Sequence, residues 1–410
     1  MTFLCVSNNY ITKIEKIKNN LACQNFTNTG AARPMSLLNN VTNSYGATID
    51  KDNTIHTIAK NTKGQIIYIT YANSIINRNV LFEESNFIFD NFYLLYHQNA
   101  LHFFYTALDT SSNVRSLLHQ IISNPQGSVE TLVTNFTSDN FDILQDETSI
   151  FIIFKDMDKI QYAVLNNEAP TVATLLTSNL PIGYFECAVI DNQIHIVYLQ
   201  NMYGQSQLIY SNGNGEVTLC TPLKLDNVSI LKYLDCIWIN YTDNNILYTF
   251  ISIDNGTTFS KAIQSSIQAS LAYTNFISNR TIPLQTNHIF ASLSSIIRLP
   301  IISSLDIYGI NPDLKPNIEL EILLEGLKIK ILQSAMKNIA AQNQANQAIK
   351  QQQDAIKQQQ DSTKQIQMMK SGPFVAKEET IHSKPTLEQA TKNFMQNLAT
   401  FDAPMAPPPS

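Results

Sequence analysis

The chain has 410 residues, of which 44% are hydrophobic and only 15% are charged, and its formal net charge at pH 7 is −6. That is enough apolar material for one large domain or two ordinary ones. Because nucleic acids and anionic membranes demand a positive surface, and no Lys/Arg cluster occurs in the first three hundred residues, the composition argues against both as partners.

Several standard features are not apparent in the sequence. The N-terminus MTFLCVSNNYITKIEK lacks the basic start and long apolar core of a signal peptide, and no segment approaches the ~20 apolar residues of a membrane span. Scattered cysteines without a CxxC pair are typical of small buried side chains in a reducing compartment. We therefore expect a cytoplasmic or spore-associated protein without a cofactor or a metal site. The cysteines are Cys5, Cys23, Cys187, Cys220 and Cys236.

A repeat runs through the first two thirds of the chain. The segments NTIHTIAKN, NALHFFYTA, ETSIFIIFK, NQIHIVYLQ and DCIWINYTD each combine a polar turn with an apolar run rich in β-branched and aromatic residues, as strands do. Their alignment places one ring-bearing residue in a shared register about every 45 residues, which is typical of propeller blades with four strands each. These residues are His56, His102, Phe151, His195 and Trp238.

The repeat predicts an all-β fold, a six-bladed β-propeller over residues 1–312. Five blades lie between about residues 45 and 270, a sixth comes from 271–300, and a strand from 1–45 helps to close the ring. Seven blades is the alternative. Because Phe151 and Trp238 occupy the shared position in two of the five segments and neither can be a metal ligand, we interpret it as a packing position for a flat ring and not as a metal site.

The stretch SIDNGTTF has the form Ser-x-Asp-x-Gly-x-Thr-aromatic. It resembles the Asp-box, or bacterial neuraminidase repeat, of sialidase-like β-propellers, with Phe where Trp is usual. The resemblance implies a β-turn between the third and fourth strands of a blade, away from the active face. In such a turn an Asp side chain caps backbone N–H groups, Gly takes a positive φ, and the aromatic ring pins the hairpin. The matching residues are Ser252, Asp254, Gly256, Thr258 and Phe259.

The resemblance raises the question of whether the chain has a sialidase site. That chemistry uses three arginines, a Tyr–Glu nucleophile pair and an acidic proton donor. No carboxylate is singled out by spacing, so we predict no catalytic residue. If Arg78, Arg115 and Arg280 lie apart in the fold, a sialidase site is excluded.

A helical period begins at Ile318, after Pro312 and Pro316, and defines a predicted stalk over residues 313–371. The heptapeptide AIKQQQD occurs twice in succession, and a helix over about 317–369 would be on the order of 80 Å long. Two arrangements stay open: the helix pairs with copies of itself, or it packs along its own propeller. The predicted seam consists of Ile322, Ile329, Leu332, Met336, Ile339, Ile349 and Ile356.

Residues 372–410 are predicted to be a flexible tail that contains one short amphipathic helix over 386–401. Thr386 and Gln389 form a capping box after Pro385. Such a helix suits a partner's groove, or it folds back on the propeller. Its apolar face carries Leu387, Phe394, Leu398 and Phe401.

These elements together predict a non-enzymatic binding or scaffolding propeller that forms oligomers through its stalk. We expect it to bind protein partners and to belong to a bacterial assembly such as a spore or an envelope. The alternative function is a carbohydrate-binding propeller or a glycosidase of sialidase-like type. Exposed rings with carboxylates at the channel mouth would favour the carbohydrate alternative.

Overall fold

A computed structural model of the chain describes most of its first 370 residues. It covers residues 1–370 except 8–9, 28–29, 123–126, 139–140, 157, 166–170, 203, 234, 266–270, 280–283, 294–296, 303–304 and 309–317. Within this part, the chain forms thirty strands and one helix. The predicted tail helix, with Leu387, Phe394, Leu398 and Phe401, lies outside the described residues.

The first forty residues form five antiparallel strands, whereas the sequence predicts only one closing strand there. Strands β1, β2 and β3 are hydrogen-bonded in chain order, and both the short β4 and β5 pair with β3. The strands are β1 (Thr2–Val6), β2 (Ile11–Ile17), β3 (Asn20–Thr27), β4 (Gly30–Ala31) and β5 (Met35–Asn39).

Five further sheets follow along the chain, and in each the strands are again hydrogen-bonded in chain order. The second sheet has β6 (Val41–Ile49), β7 (Ile55–Asn61), β8 (Gln65–Ala72) and β9 (Ile75–Glu83). The third has β10 (Phe87–His97), β11 (Ala100–Asp109), β12 (Val114–Ile122) and β13 (Val129–Val133). The fourth has β14 (Phe141–Gln145), β15 (Ile150–Asp156), β16 (Lys159–Leu165) and β17 (Thr171–Thr177). The fifth has β18 (Ile182–Ile190), β19 (Gln193–Met202), β20 (Gln205–Ser211) and β21 (Glu216–Cys220). The sixth has β22 (Leu225–Tyr233), β23 (Cys236–Asp243), β24 (Ile246–Ser252) and β25 (Ile263–Gln264).

The last strands connect the end of the β region to its beginning. Strand β27 (Leu284–Gln285) pairs with β22, while β26 (Ala272–Ser278), β28 (His288–Leu293), β29 (Ile297–Ile302) and β30 (Leu305–Tyr308) form an antiparallel set. Strand β26 also pairs in parallel with β1, from Phe3 opposite Asn275 to Val6 opposite Ser278. Repeated four-stranded meanders are the architecture of β-propellers, so the predicted all-β class is confirmed.

Asparagine explains how the chain makes tight hairpins with few glycines. Most of the described non-glycine residues with positive φ are Asn, including Asn53 at 64° between β6 and β7. Between β23 and β24, Asn244 and Asn245 take φ values of 52° and 63°. Two successive positive φ angles are those of a type I′ turn, whose twist matches that of antiparallel strands.

The shared ring position lies on the second strand of each of the five sheets from β6 to β25, as the alignment requires. His56 Nδ1 lies 2.7 Å from the Tyr68 hydroxyl, and the fully buried Trp238 donates from Nε1 to the Tyr233 carbonyl at 2.9 Å. His195 is also fully buried. Each of these rings therefore has a local packing and hydrogen-bonding partner. No described group of three His, Cys, Asp or Glu side chains is arranged to hold a metal ion.

The helix α1 (Ile318–Lys370) begins within the same compact unit as the sheets, which extends from Met1 to Leu332. Leu324 is 7% exposed and belongs to a core cluster with Leu231 and Trp238. From Gln333 onward, the described helix residues belong to a second unit. No described helix is long and apolar enough to span a membrane.

The predicted seam of α1 is uncovered. Its side chains are between 47% and 69% exposed, while Leu324 and Leu327 on another face pack against the sheets. The seam residues are Ile322, Ile329, Leu332, Met336, Ile339, Ile349 and Ile356.

Candidate functional site

The first strands of consecutive sheets contact one another, and a pocket of about 390 Å³ opens among them. Strands β10, β14, β18, β26 and β28 all contribute to its walls. The pocket is lined by Met1, Tyr93, Ser138, Phe141, Asp142, Lys155, Gly183, Tyr184, Phe185, Glu186, Tyr273, Asn275 and His288. Its volume lies within the range of roughly 300–1,000 Å³ that is usual for small-molecule sites.

Glu186 is the centre of the polar network in this pocket, and it is only 3% exposed. Its Oε1 lies 2.6 Å from His288 Nδ1, and its Oε2 accepts from the Tyr273 hydroxyl at 2.7 Å. The hydroxyl of Tyr184 donates to the same Oε2 at 3.3 Å. Tyr184 and Glu186 meet because residues two apart on a strand share one face. These three donors satisfy the buried carboxylate and offset the free-energy cost of removing it from water.

His288 is held from both sides of its ring. Its Nε2 lies 3.0 Å from Asn275 Oδ1, and Tyr273 stacks on it with a centroid distance of 5.2 Å. Burial alone would lower the pKa of His288, but the charge and hydrogen bond of Glu186, with the charge of Asp142, raise that pKa to about 9. His288 is therefore a cation at neutral pH, and both ring nitrogens donate.

Asp142 is the second carboxyl group of the pocket. Burial, followed by the negative charge of Glu186, raises the pKa of Asp142 to about 7. The Cys187 thiol lies 3.6 Å from its Oδ2. Since an ordinary aspartate ionises near pH 4, this group is poised to exchange a proton near neutrality. Burial, with the charge of Glu186, also holds the pKa values of Tyr184 and Tyr273 well above their usual value, so both hydroxyls stay protonated donors.

Lys155 also lines the pocket. Its ammonium donates to the carbonyls of Ile182 and Gly183 at 3.1 and 3.0 Å. The register of β18 with β19 shifts between Ile182 and Phe185, so an irregularity in the strand presents these carbonyls. Rings, carboxyls, phenols and an ammonium thus face one cavity, a combination that can bind a molecule rich in hydroxyl groups.

The arginines of the sialidase hypothesis do not meet at this pocket. Arg78 lies on β9, where its Nε donates to the Leu37 carbonyl at 2.6 Å, and Arg115 lies on β12. Arg280 falls outside the described residues. None of the described residues that line the pocket is an arginine. Arg78 and Arg115 therefore cannot contribute to a three-arginine carboxylate clamp in this pocket.

The Asp-box-like turn follows β24, and none of its residues lines the pocket. Asp254 Oδ1 accepts from the Thr258 N–H at 2.9 Å and from the Ser252 hydroxyl at 2.8 Å. The Gly256 N–H donates to Ser252 Oγ at 2.8 Å. Short polar side chains thus satisfy the turn's backbone donors, as the sequence pattern indicates.

Gly256 and Phe259 attach the turn to the neighbouring sheet. Gly256 has a φ of +83°, and an added Cβ would overlap the hydroxyl of Tyr210. The Phe259 ring meets the Tyr210 ring edge-on at a centroid distance of 4.8 Å. The Tyr210 hydroxyl in turn lies 2.5 Å from His195 Nδ1, so the turn is packed against the shared ring position of β19.

The pocket residues were missed in the sequence because they come from different sheets. One signal was present: Glu186 interrupts the otherwise apolar strand YFECAVI. A charged residue in the middle of a buried strand is unusual and needs a partner. That partner, His288, lies 102 positions later in the chain, so linear spacing could not identify it.

Comparison with known proteins gives no family. No family model matches the chain, and no curated protein matches it. Solved structures with similar folds include AofleA from Arthrobotrys oligospora, with a TM-score of 0.40 and 10% identity, covering 65% of this chain and 86% of that chain. The Aleuria aurantia lectin in complex with Fucalpha1-6GlcNAc has a TM-score of 0.39 and 10% identity, covering 65% and 92%. TolB from Acinetobacter baumannii has a TM-score of 0.40 and 12% identity, covering 60% and 61%. Similarities of this size carry no argument about this chain.

Proposed function

We propose that the chain forms a six-bladed β-propeller whose central pocket binds a carbohydrate. The blade count rests on the five sheets from β6 to β25 and on one nine-stranded sheet, in which β26 and β28–β30 join β1–β5. The function rests on one observation: rings and carboxyl groups line a single pocket where the first strands of the sheets meet. This arrangement supports the carbohydrate-binding alternative better than a purely scaffolding propeller.

Sugars need acceptors and donors at the same time, together with a flat apolar surface for their C–H faces. Asp142 and Lys155 supply polar groups at the pocket, while Phe141 and Phe185 supply rings. Glu186 is committed to His288 and two tyrosines, so its role is to orient the tyrosine hydroxyls. Preorganised groups of this kind lower the entropy cost of binding.

A glycan array with the full chain tests this proposal. Lys155→Met and Asp142→Asn should each weaken binding of any array ligand by about tenfold or more, the loss expected for a charged hydrogen-bonding group. Lys232→Met is the matched control, since Lys232 pairs with the exposed Asp191 and lies outside the pocket. Silence across the array, or equal binding by all three variants, would contradict the proposal.

A second candidate function, hydrolysis of a neutral glycoside, is favoured by the proton affinity of Asp142. A carboxyl group with a pKa of about 7 can act as the acid, and the hydrogen-bonded pair of Tyr273 and Glu186 lies in the same pocket. Glycosidases use two carboxyl groups on either side of the scissile bond, and Asp142 and Glu186 both line this pocket. Release of free sugar from an array ligand, abolished by Asp142→Asn, would establish hydrolysis. Binding without release would show that the pocket binds sugar but does not hydrolyse it.

The exposed seam of α1 supports a further proposal, self-association through the helix. Solvated isoleucine and leucine side chains repeated every seven residues gain free energy when they pair with copies of themselves. Self-association would multiply weak sugar sites into an avid surface, as in a bacterial spore or envelope assembly. Light scattering should give a multiple of 46.1 kDa for the full chain and a monomer for a version ending at Leu332. Monomers in both cases would overturn this proposal.

A further inference from the structure

A second concave site lies between the second and third sheets, away from the central pocket. It is a groove of about 410 Å³, and none of its lining residues also lines the pocket. Strands β9, β10, β11, β12 and β13 contribute to it. Its apolar wall is formed mainly by Leu81, Phe82, Phe87, Phe89, Tyr105 and Leu118.

The wall is a cluster of interlocked aromatic rings. Phe82 and Phe89 meet edge-on at a centroid distance of 4.9 Å, and Phe89 meets Tyr105 edge-on at 5.8 Å. Phe87 continues the cluster at 6.2 Å from Phe89, and it is 43% exposed. An aromatic cluster that ends in an exposed ring offers a further aromatic ring a favourable place to pack.

One buried polar atom in this wall lacks a partner. Gln120 is 4% exposed, and its Nε2 donates to the Gly127 carbonyl at 2.8 Å. Its Oε1 has no hydrogen-bond partner among the residues that the structure describes. A buried acceptor without a donor costs free energy, which a bound N–H or O–H group would recover. At the edge of the groove, Glu83 is already engaged, since it accepts from Gln65 Nε2 at 2.6 Å.

We propose that this groove binds a flat aromatic molecule that carries one N–H or O–H donor, of the indole or phenol type. The ring packs against Phe87 and Phe89, and the donor reaches Gln120 Oε1. An aliphatic ligand would satisfy the apolar wall without using the acceptor. The site is independent of carbohydrate binding, because the two cavities share no residue.

Indole and 1-methylindole test the proposal, because they differ by the single N–H donor. With the full chain, ligand-observed NMR titration should show saturable binding of both, with indole about fivefold tighter, as expected for one neutral hydrogen bond. Gln120→Met, which keeps an unbranched side chain of similar size, should remove this preference. Phe87→Ala should weaken both ligands by a similar factor, and it is safe for folding because Phe87 is partly exposed.

Val172→Ala is the matched control, since Val172 is 45% exposed on β17 and lies outside the groove. It should leave both affinities unchanged. Three results would each overturn the proposal: no saturable binding of indole, equal affinity of the two ligands for the wild-type chain, or a preference for indole that persists in Gln120→Met. Sugar binding measured on the same variants should not change, so failure here is distinguishable from failure of the carbohydrate site.

Discussion

The pKa values of two buried histidines in this fold are shifted in opposite directions. In the central pocket, the pKa of His288 rises to about 9. On the third sheet, His102 Nδ1 lies 3.0 Å from His119 Nε2, and burial, followed by the charges of His119 and His97, lowers the pKa of His102 to about 4. The two rings are similarly shielded from water, at 9% and 8% exposure.

The difference lies in the carboxylate that each cluster has. Glu186 is buried and contacts His288 directly, whereas Glu130 is 41% exposed in its side chain and contacts only His119, at 3.3 Å. Burial lowers the pKa of a histidine, whereas a nearby opposite charge or a hydrogen bond to the charged ring raises it. The central pocket therefore keeps a cation, and the third sheet keeps a neutral ring pair.

The largest effect should come from removing the carboxylate of one cluster. Glu186→Ala should lower the free energy of unfolding by about 3–5 kcal/mol, because it leaves His288 buried without its counter-charge. Glu130→Ala is the counterpart in the other cluster and should cost at most about 1 kcal/mol, since that carboxylate is largely hydrated. Urea denaturation at pH 7 measures both, and equal losses would contradict the comparison.

The next largest effect is the difference between the pKa values of His288 and His102. With selectively labelled histidine, NMR should show His288 protonated until the pH approaches 9 and His102 neutral down to about pH 4. The raised pKa of His288 contributes stability that is fully present below pH 6.5 and is lost as the pH rises through about 9. The lowered pKa of His102 has the opposite sign, because stability is lost as the pH falls from 6.5 towards 4. Both groups titrating near pH 6.5 would refute the assignment.

A smaller effect is expected from Asp142. Because its pKa is raised to about 7, the folded chain holds a proton that the unfolded chain releases above about pH 4. Its contribution to stability therefore falls as the pH rises from about 4 to 7. Asn imitates the protonated form of Asp142. At pH 8 the free energy of unfolding of Asp142→Asn should therefore exceed that of wild type by about 1–2 kcal/mol, after discounting for partial solvation, and at pH 4 the two values should be nearly equal. Asp191→Asn, at an exposed ion pair, should show no such pH dependence.

The smallest effect should come from His102→Phe. Phe151 occupies the equivalent position on β15, so a phenyl ring fits this register. At pH 7 the change in unfolding free energy should stay within about 1 kcal/mol, the cost of one neutral hydrogen bond to His119. At pH 5 the variant should lose less stability than wild type, because one buried titrating ring is gone. Thermal melts at the two pH values decide this, and an unchanged acid response would contradict it.

The sequence predicted the strands because their signals are local. Alternation of apolar and polar residues, Asn-rich turns and the ring at the shared position each depend on a few neighbouring residues. The helix α1 follows from the unbroken heptads in the same way, and its observed range of Ile318–Lys370 agrees with the predicted 317–369. Of the strands β1–β5 only one closing strand was predicted, because these segments do not contain the ring that marks the repeat.

The pocket could not be predicted, because its network joins side chains from distant segments. Glu186, Tyr273 and His288 come together only when β18, β26 and β28 are placed around one cavity. The proton affinities of these groups depend on that burial and on each other's charge, which no linear spacing encodes. Gln120 is a similar case, since its missing partner is visible only once its neighbours are in place.

The parallel pairing of β1 with β26 has a consequence for synthesis of the protein. Strand β1 is complete after Val6, but its partner does not exist until residues 272–278 have been made. At roughly 5–20 residues per second, the open edge of β1 waits on the order of tens of seconds on the ribosome. During that interval an unpaired strand edge can capture the wrong strand, including one from a neighbouring chain. We expect co-translational chaperones to matter more for this protein than for a sheet whose edge strands are made in succession.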